Sequence, residues 1–259
     1  MIDPYTVVIT SCGRFDLLER TLTSLLPHID GPVTEIIIAE DSGNSGAQDI
    51  TAKFGRDIRI IVNKPPMGQI KSIDRLYSEV ATEWIFHCED DWEFFRGGFI
   101  MQSFALLREC EKLSMVSLRD ISDFSKVEFG PECIGESGIH YRVANDQPRF
   151  ETRYCGIHFN PGLRRMTDYL RIGPYSKFGR RAREEVISTA YRDAGFRVGL
   201  ISNPAVRHIG DGRHVLDPYD NPGIFWKLRQ YQLRRKVKLR RSVSKRWHNL
   251  KLNKRSGES

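Results

Sequence analysis

The sequence predicts an α/β fold built on a doubly wound, mostly parallel sheet, and three observations predict it. Four apolar runs, 5–10, 33–39, 58–62 and 83–88, are short and continuous rather than alternating, as in strands buried on both faces. Helical patterns separate them, which is the rhythm of βαβ units. Three of the runs stop abruptly at polar or charged residues, and open α/β sheets bind ligands at the carboxyl ends of their strands.

The elements follow in order. After the first strand, Leu17, Leu18, Leu22, Leu25 and Leu26 share one broad helical face that ends before Pro27. The second and third strands have room for a short helix between them. Pro65-Pro66-Met67-Gly68 forms a turn, and a helix over 69–80 leads to the fourth strand. Gly97-Gly98 breaks the chain before a helix over 99–112, and 114–118 reads as a fifth strand. From Arg119 to Tyr154 periodicity fades into loops and short strands. Helices are expected over 162–171 and 180–194, then a strand pair within 197–208 and a Gly/Asp/Pro-rich loop to Gly223.

At 259 residues and 40% hydrophobic, the chain can bury one substantial core. Its net charge of +7 is unevenly placed: residues 227–259 carry 13 Lys and Arg against Glu258 alone, leaving the remainder at −5. Basicity therefore belongs to the tail and says little about the body. We divide the chain into a domain over 1–223 and a basic, helical C-terminal tail over 224–259. There Leu239, Val243, Trp247 and Leu250 share one face, a pattern suited to an anionic membrane surface. Packing on the body is the plainer alternative. Nucleic acid is disfavoured, because no aromatic stacking platform or known module accompanies the charge. Neither a signal peptide nor an apolar run of bilayer length is evident. Five dispersed cysteines fit neither a zinc site nor a disulfide framework. The expected location is cytoplasmic, peripheral to the inner face of a membrane if the tail binds there.

The most informative stretch is Trp84-Ile85-Phe86-His87-Cys88-Glu89-Asp90-Asp91-Trp92, where three carboxylates follow an apolar strand directly. Carboxylates this close repel, and a divalent cation bound with a diphosphate is their natural compensation. An acidic, solvated turn is the simpler explanation for this motif alone. Three further segments should reach the same sheet edge: Thr10-Ser11-Cys12-Gly13-Arg14, Glu40-Asp41-Ser42, and the start of the helix carrying Gln69 and Ser72. No phosphate-cradling motif of the Walker or dinucleotide type occurs, which again favours metal at the carboxylates.

Taken together, these motifs resemble the GT-A nucleotide-sugar glycosyltransferases, especially glycosyltransferase family 2. Residues 7–18 are similar to that family's first strand, donor-side turn and helix. Residues 36–42 resemble its second strand, Glu89-Asp90-Asp91 its DxD motif, and Arg207-His208 its late basic-histidine motif. The resemblance implies donor contacts from Thr10, Ser11, Arg14, Gln69 and Ser72. It implies that Glu40 and Asp41 contact the nucleoside, and that Glu89 and Asp90 hold ribose hydroxyls or metal-bound water. Asp91, completed by His208, would bind Mn²⁺ or Mg²⁺. An inverting transferase also needs a base, and the resemblance places it in Arg183-Glu184-Glu185. Counting back from Gly195 selects Glu184, whereas matching the acidic pair directly selects Glu185; the choice stays open. The segment 159–165 is expected on the acceptor side.

The function implied is metal-dependent transfer of a sugar, with inversion, from a nucleotide diphosphate-sugar to a hydroxyl. The donor would be UDP- or GDP-linked and the acceptor a glycan or lipid-linked glycan precursor. Two alternatives stand beside it. A sugar-nucleotide pyrophosphorylase shares the sheet type but carries a glycine-rich first turn that residues 10–14 do not supply. A non-catalytic GT-A-like domain would bind nucleotide-sugars or polyanions without turnover.

Overall fold

The computed structural model describes residues 3–124, 127–145, 154–210, 212–213 and 215, with backbone only at 180 and 181. The amphipathic tail expected over 224–259 lies outside them. The chain divides into two compact units, Met1–Ile209 and Gly210–Ser259, and every strand and helix named below belongs to the first.

Four strands form the parallel half of a nine-stranded sheet: β1 (Tyr5–Ser11), β2 (Val33–Glu40), β3 (Arg59–Val62) and β4 (Trp84–Glu89), in the order β3-β2-β1-β4. Their apolar runs are continuous because both faces are covered, and strand alternation divides each run between two cores. Val7, Ile9, Ile36, Ile38 and Phe86 face one core, which also takes Leu18, Leu22 and Leu25 of α1 (Phe15–Leu25). Val8, Ile37, Ala39 and Ile85 face the other, with Ile70, Ile73 and Leu76 of α3 (Gln69–Ser78). The short helix between β2 and β3 is α2 (Gly46–Thr51). The doubly wound architecture expected from the sequence is therefore present.

Beyond β4 the sheet continues as β9-β6-β10-β8-β7. Here β6 (Leu113–Ser117) and β10 (Arg197–Ile201) are parallel to each other, and α4 (Phe99–Glu109) precedes β6. The edge pair β7 (Cys133–Ile134) and β8 (His140–Val143) falls in the aperiodic region, where short strands were expected.

Three expectations are corrected. The helix expected over 162–171 begins as strand β9 (Gly162–Arg165), antiparallel between β4 and β6, and becomes helix α5 only at Met166–Ile172. Two strands with unpaired ladder groups on either side outweigh the local helical spacing of Leu163, Met166 and Tyr169. Gly162 permits the insertion, since a Cβ there would meet the Val116 carbonyl oxygen at 2.5 Å. The strands expected as a pair within 197–208 do not pair with each other. β10 enters the main sheet, whereas β11 (Val206–His208) pairs antiparallel with β5 (Trp92–Phe94), a strand the sequence reading missed. The helix expected over 180–194 is a 3-10 turn (Tyr175–Arg181) followed by α6 (Glu184–Asp193).

Candidate active site

The β1, β2 and β4 ends lie side by side, because β1 pairs with both neighbours and Thr10 stands level with Ala39 and Glu89. Polar residues that end these strands are thereby gathered at one edge. Pairing of β11 with β5 adds His208, level with Trp92.

Glu40 is fully buried and knits β1 to β2. Its carboxylate accepts from Ser11 Oγ at 2.7 Å and from the amides of Gly13 and Ser42 at 2.9 and 2.8 Å. Gly13 meets this geometry with φ of 67°, a left-handed conformation that favours glycine. Asp41 is equally occupied. It accepts from Asn63 Nδ2, Ser72 Oγ and the amides of Met67 and Gly68 at 2.8–3.0 Å. Neither carboxylate nor the hydroxyls of Ser11 and Ser72 present a free group to solvent. They shape the two turns that a ligand would meet. Thr10 is buried beside them. Asn63, the buried centre of the second network, lies at a strand end with no sequence signature and was not anticipated.

The acidic triplet is open to chemistry. Arg14 lies across it: Nη2 and Nε donate to Asp90, and Nη1 donates to Asp91 Oδ2 at 2.7 Å. Burial raises the Asp90 carboxyl to about 6, against the lowering effect of Arg14. Burial acts on Asp91 too, but the hydrogen bond from His208 and the Arg14 charge prevail and hold it below the usual carboxylate range. Glu89 accepts from Gln69 Nε2 at 2.8 Å and from Trp92 Nε1 at 3.2 Å. Burial, with Asp91 and Glu184 nearby, pushes Glu89 up to about 8, so it takes up a proton near neutrality.

The residues fit a divalent cation. Asp91 Oδ1 is buried with no hydrogen-bond partner, and His208 Nε2 lies 3.1 Å from Oδ2 of the same carboxylate. Among the described residues no three His, Cys, Asp or Glu side chains converge as a complete cage. Mg²⁺-type sites commonly use one or two protein ligands and take the rest from substrate phosphates and water. Trp92 is buried, with His208 against its ring edge, and is a core residue rather than an exposed sugar platform.

A cleft of about 240 Å³ is lined by Arg119, Asp123, Phe124, Tyr154, His158, Asn160 and Glu184, among others. Glu184 opens α6, where its carboxylate also suits the helix dipole. Its Oε1 accepts the Phe159 amide at 2.7 Å, and burial raises its pKa. Glu185 does not line the cleft and accepts from the Tyr154 hydroxyl at 3.1 Å. Of the segment expected on the acceptor side, only Asn160 lines this cleft. Phe159, Leu163 and Arg164 are buried, and Arg165 is spent on the carbonyls of Leu107, Glu111 and Leu113. Arg119, held over the rings of Trp92 and Phe124, and His158 were missed, since both lie in irregular chain without a motif.

Solved structures share this architecture at low sequence identity. The mannosyltransferase PcManGT from Pyrobaculum calidifontis, in complex with GDP-Man and Mn²⁺, superposes with a TM-score of 0.54 at 12% identity, over 77% of this chain and 54% of its own. GalNAc-T7 with UDP, GalNAc and Mn²⁺ gives 0.58 at 13%, over 80% and 44%. TarS residues 1–349 from S. aureus gives 0.57 at 11%, over 81% and 61%. The chain thus spans roughly half the length of these relatives. No curated protein sequence matches it. The family model described as glycosyl transferase family 2 matches residues 6–169, which hold β1 through β9 and the whole acidic triplet. By that match over more than half its length, the chain belongs to glycosyl transferase family 2.

Proposed function

We propose that the protein transfers a sugar, with inversion, from a nucleotide diphosphate-sugar to a hydroxyl acceptor, aided by Mn²⁺ or Mg²⁺. One observation carries this reading: the cation-ready pair Asp91 and His208 and the pKa-raised Glu184 lie close enough that Glu184 also raises Glu89, the first residue of the triplet. The relatives whose structures contain GDP-Man or UDP with Mn²⁺ support a nucleotide-linked donor of the UDP or GDP type.

Asp91 and His208 would hold the cation, which would supply Lewis-acid stabilisation of the leaving diphosphate. Arg14, already on Asp90 and Asp91, orients both carboxylates and keeps Asp91 ionised. Gln69 Nε2 fixes one oxygen of Glu89 through a 2.8 Å hydrogen bond. Glu184 would accept the proton of the acceptor hydroxyl. The Phe159 amide occupies Oε1, leaving Oε2 for that proton, and burial makes the carboxylate a stronger base than a solvated one. Cleft lining favours Glu184 over Glu185 for this role.

The test is calorimetric titration with UDP, GDP, CDP and dTDP, each with and without Mn²⁺. Binding of one nucleotide only in the presence of Mn²⁺ is expected. If the folded protein binds none of them, the triplet is structural and the transferase reading fails.

A further inference from the structure

Arg164, in the middle of β9, is 2% exposed, yet it forms no ion pair among the described residues. Its partners are neutral. Nη1 donates to the Tyr77 hydroxyl at 3.1 Å, and Nη2 donates to the carbonyls of His158 at 3.1 Å and Asn160 at 3.3 Å, while Nε has no partner. A buried guanidinium without a carboxylate is costly, so its position calls for a reason beyond packing. The two carbonyls it grips flank Phe159, and the Phe159 amide is the group that donates to Glu184 Oε1 at 2.7 Å. Arg164 therefore fixes the peptide segment that holds the carboxylate, and brings the only buried arginine side chain of the described residues to that side of the sheet.

We propose that Arg164 is the positioning residue and counter-charge of Glu184: it locks the 158–160 loop so that the Phe159 amide fixes Oε1, and it holds a buried positive charge beside that loop. The inference rests on the reading of Glu184 as the base, and names how that base is held ready. Tyr77 extends the support, since its hydroxyl meets His87 Nδ1 at 3.1 Å and anchors the far side of the guanidinium. The other charged or titratable groups facing Glu184 are Arg119, Asp123, Tyr154 and His158 around the cleft, Glu185 on its own helix, and Glu89 from the triplet. Burial raises the Glu184 pKa most and Glu185 adds to it, while the Phe159 amide, Arg164 and Arg119 lower it.

The experiment is carbon-13 NMR titration of the Glu184 carboxyl, its signal identified by loss in Glu184→Gln, in wild-type, Arg164→Met and Arg164→Lys. In Arg164→Met the midpoint should rise by about one pH unit, the size expected when a nearby opposite charge is removed. Arg164→Lys should restore most of that shift by keeping the charge. The lysine side chain ends one atom short of Nη2, which alone reaches both carbonyls, and it lacks the second donor to Tyr77, so hydrogen exchange at the Phe159 amide should quicken about tenfold. If Arg164→Met does not fold, the exchange rate in Arg164→Lys decides the matter. An unmoved Glu184 midpoint in folded Arg164→Met, or unmoved Phe159 exchange in Arg164→Lys, overturns the proposal. Turnover retained in Glu184→Gln would instead remove the base assignment, while the titration would still report on Arg164.

Discussion

At the scale of single residues, sequence position and chemical availability are different things. Glu40-Asp41 and Glu89-Asp90-Asp91 both follow strands and both look like ligand sites in the sequence. The first pair is consumed by seven donors from neighbouring turns, whereas Asp91 keeps an unpartnered buried oxygen. We expect Asp91→Asn to abolish Mn²⁺-dependent nucleotide binding with an unchanged circular dichroism spectrum; intact metal-dependent binding would remove the assignment. Glu184→Gln should leave nucleotide binding intact and cut turnover by roughly 10²–10⁴-fold, the usual contribution of a positioned base. Equal loss in Glu185→Gln alone would move the base by one residue. The buried histidines make a prediction about pH. Burial, with Arg164 nearby, holds His87 well below its ordinary value, so the native state resists its proton below about 6.5 while the unfolded chain accepts it. His87 therefore contributes stability above pH 6.5 that is lost on acidification. The melting temperature of wild-type relative to His87→Asn should fall as pH drops from 7 to 5, and a pH-independent difference would contradict it.

At the scale of elements, strands with both faces buried were plain in the sequence, because residues such as Val7-Val8-Ile9 leave few alternatives to a covered strand. Strand β5, only three residues long, was not legible, and so neither was the partner that β11 would take. Their pairing is what brings His208 to Asp91, so the motif was visible while the reason for its placement was not. β9 failed as a helix for the same physical reason. A segment takes the conformation that satisfies its neighbours' backbone groups, and β4 and β6 lie far from it in the chain. Gly162→Ala tests this slot. The added Cβ would press on the Val116 carbonyl at 2.5 Å, and we expect a loss of about 1–3 kcal/mol in denaturant unfolding, as for an overpacked core. A change below ~0.5 kcal/mol would mean that β4 and β6 part easily.

At the scale of the whole molecule, charge separates the body from the tail. We propose that residues 224–259 hold the protein on an anionic membrane surface at its cytoplasmic side, a reading that rests on 13 basic residues against one acid in 227–259. Among the described residues no helix is long and apolar enough to cross a membrane. Full-length protein should co-sediment with phosphatidylserine vesicles at low salt and not with phosphatidylcholine vesicles, and high salt should release it; equal partition to both would refute the electrostatic reading.

The sequence by itself determined the sheet class, the strands of its parallel half and the identity of the acidic triplet. These depend on hydrophobic runs and strand ends, which are local properties. The tertiary structure alone decided which carboxylates remain available, which glutamate lines the cleft, and that Arg119 and His158 line it too. Those facts depend on strand pairings and side-chain donors far apart in the chain, and desolvation and hydrogen-bond saturation are set only when such groups meet.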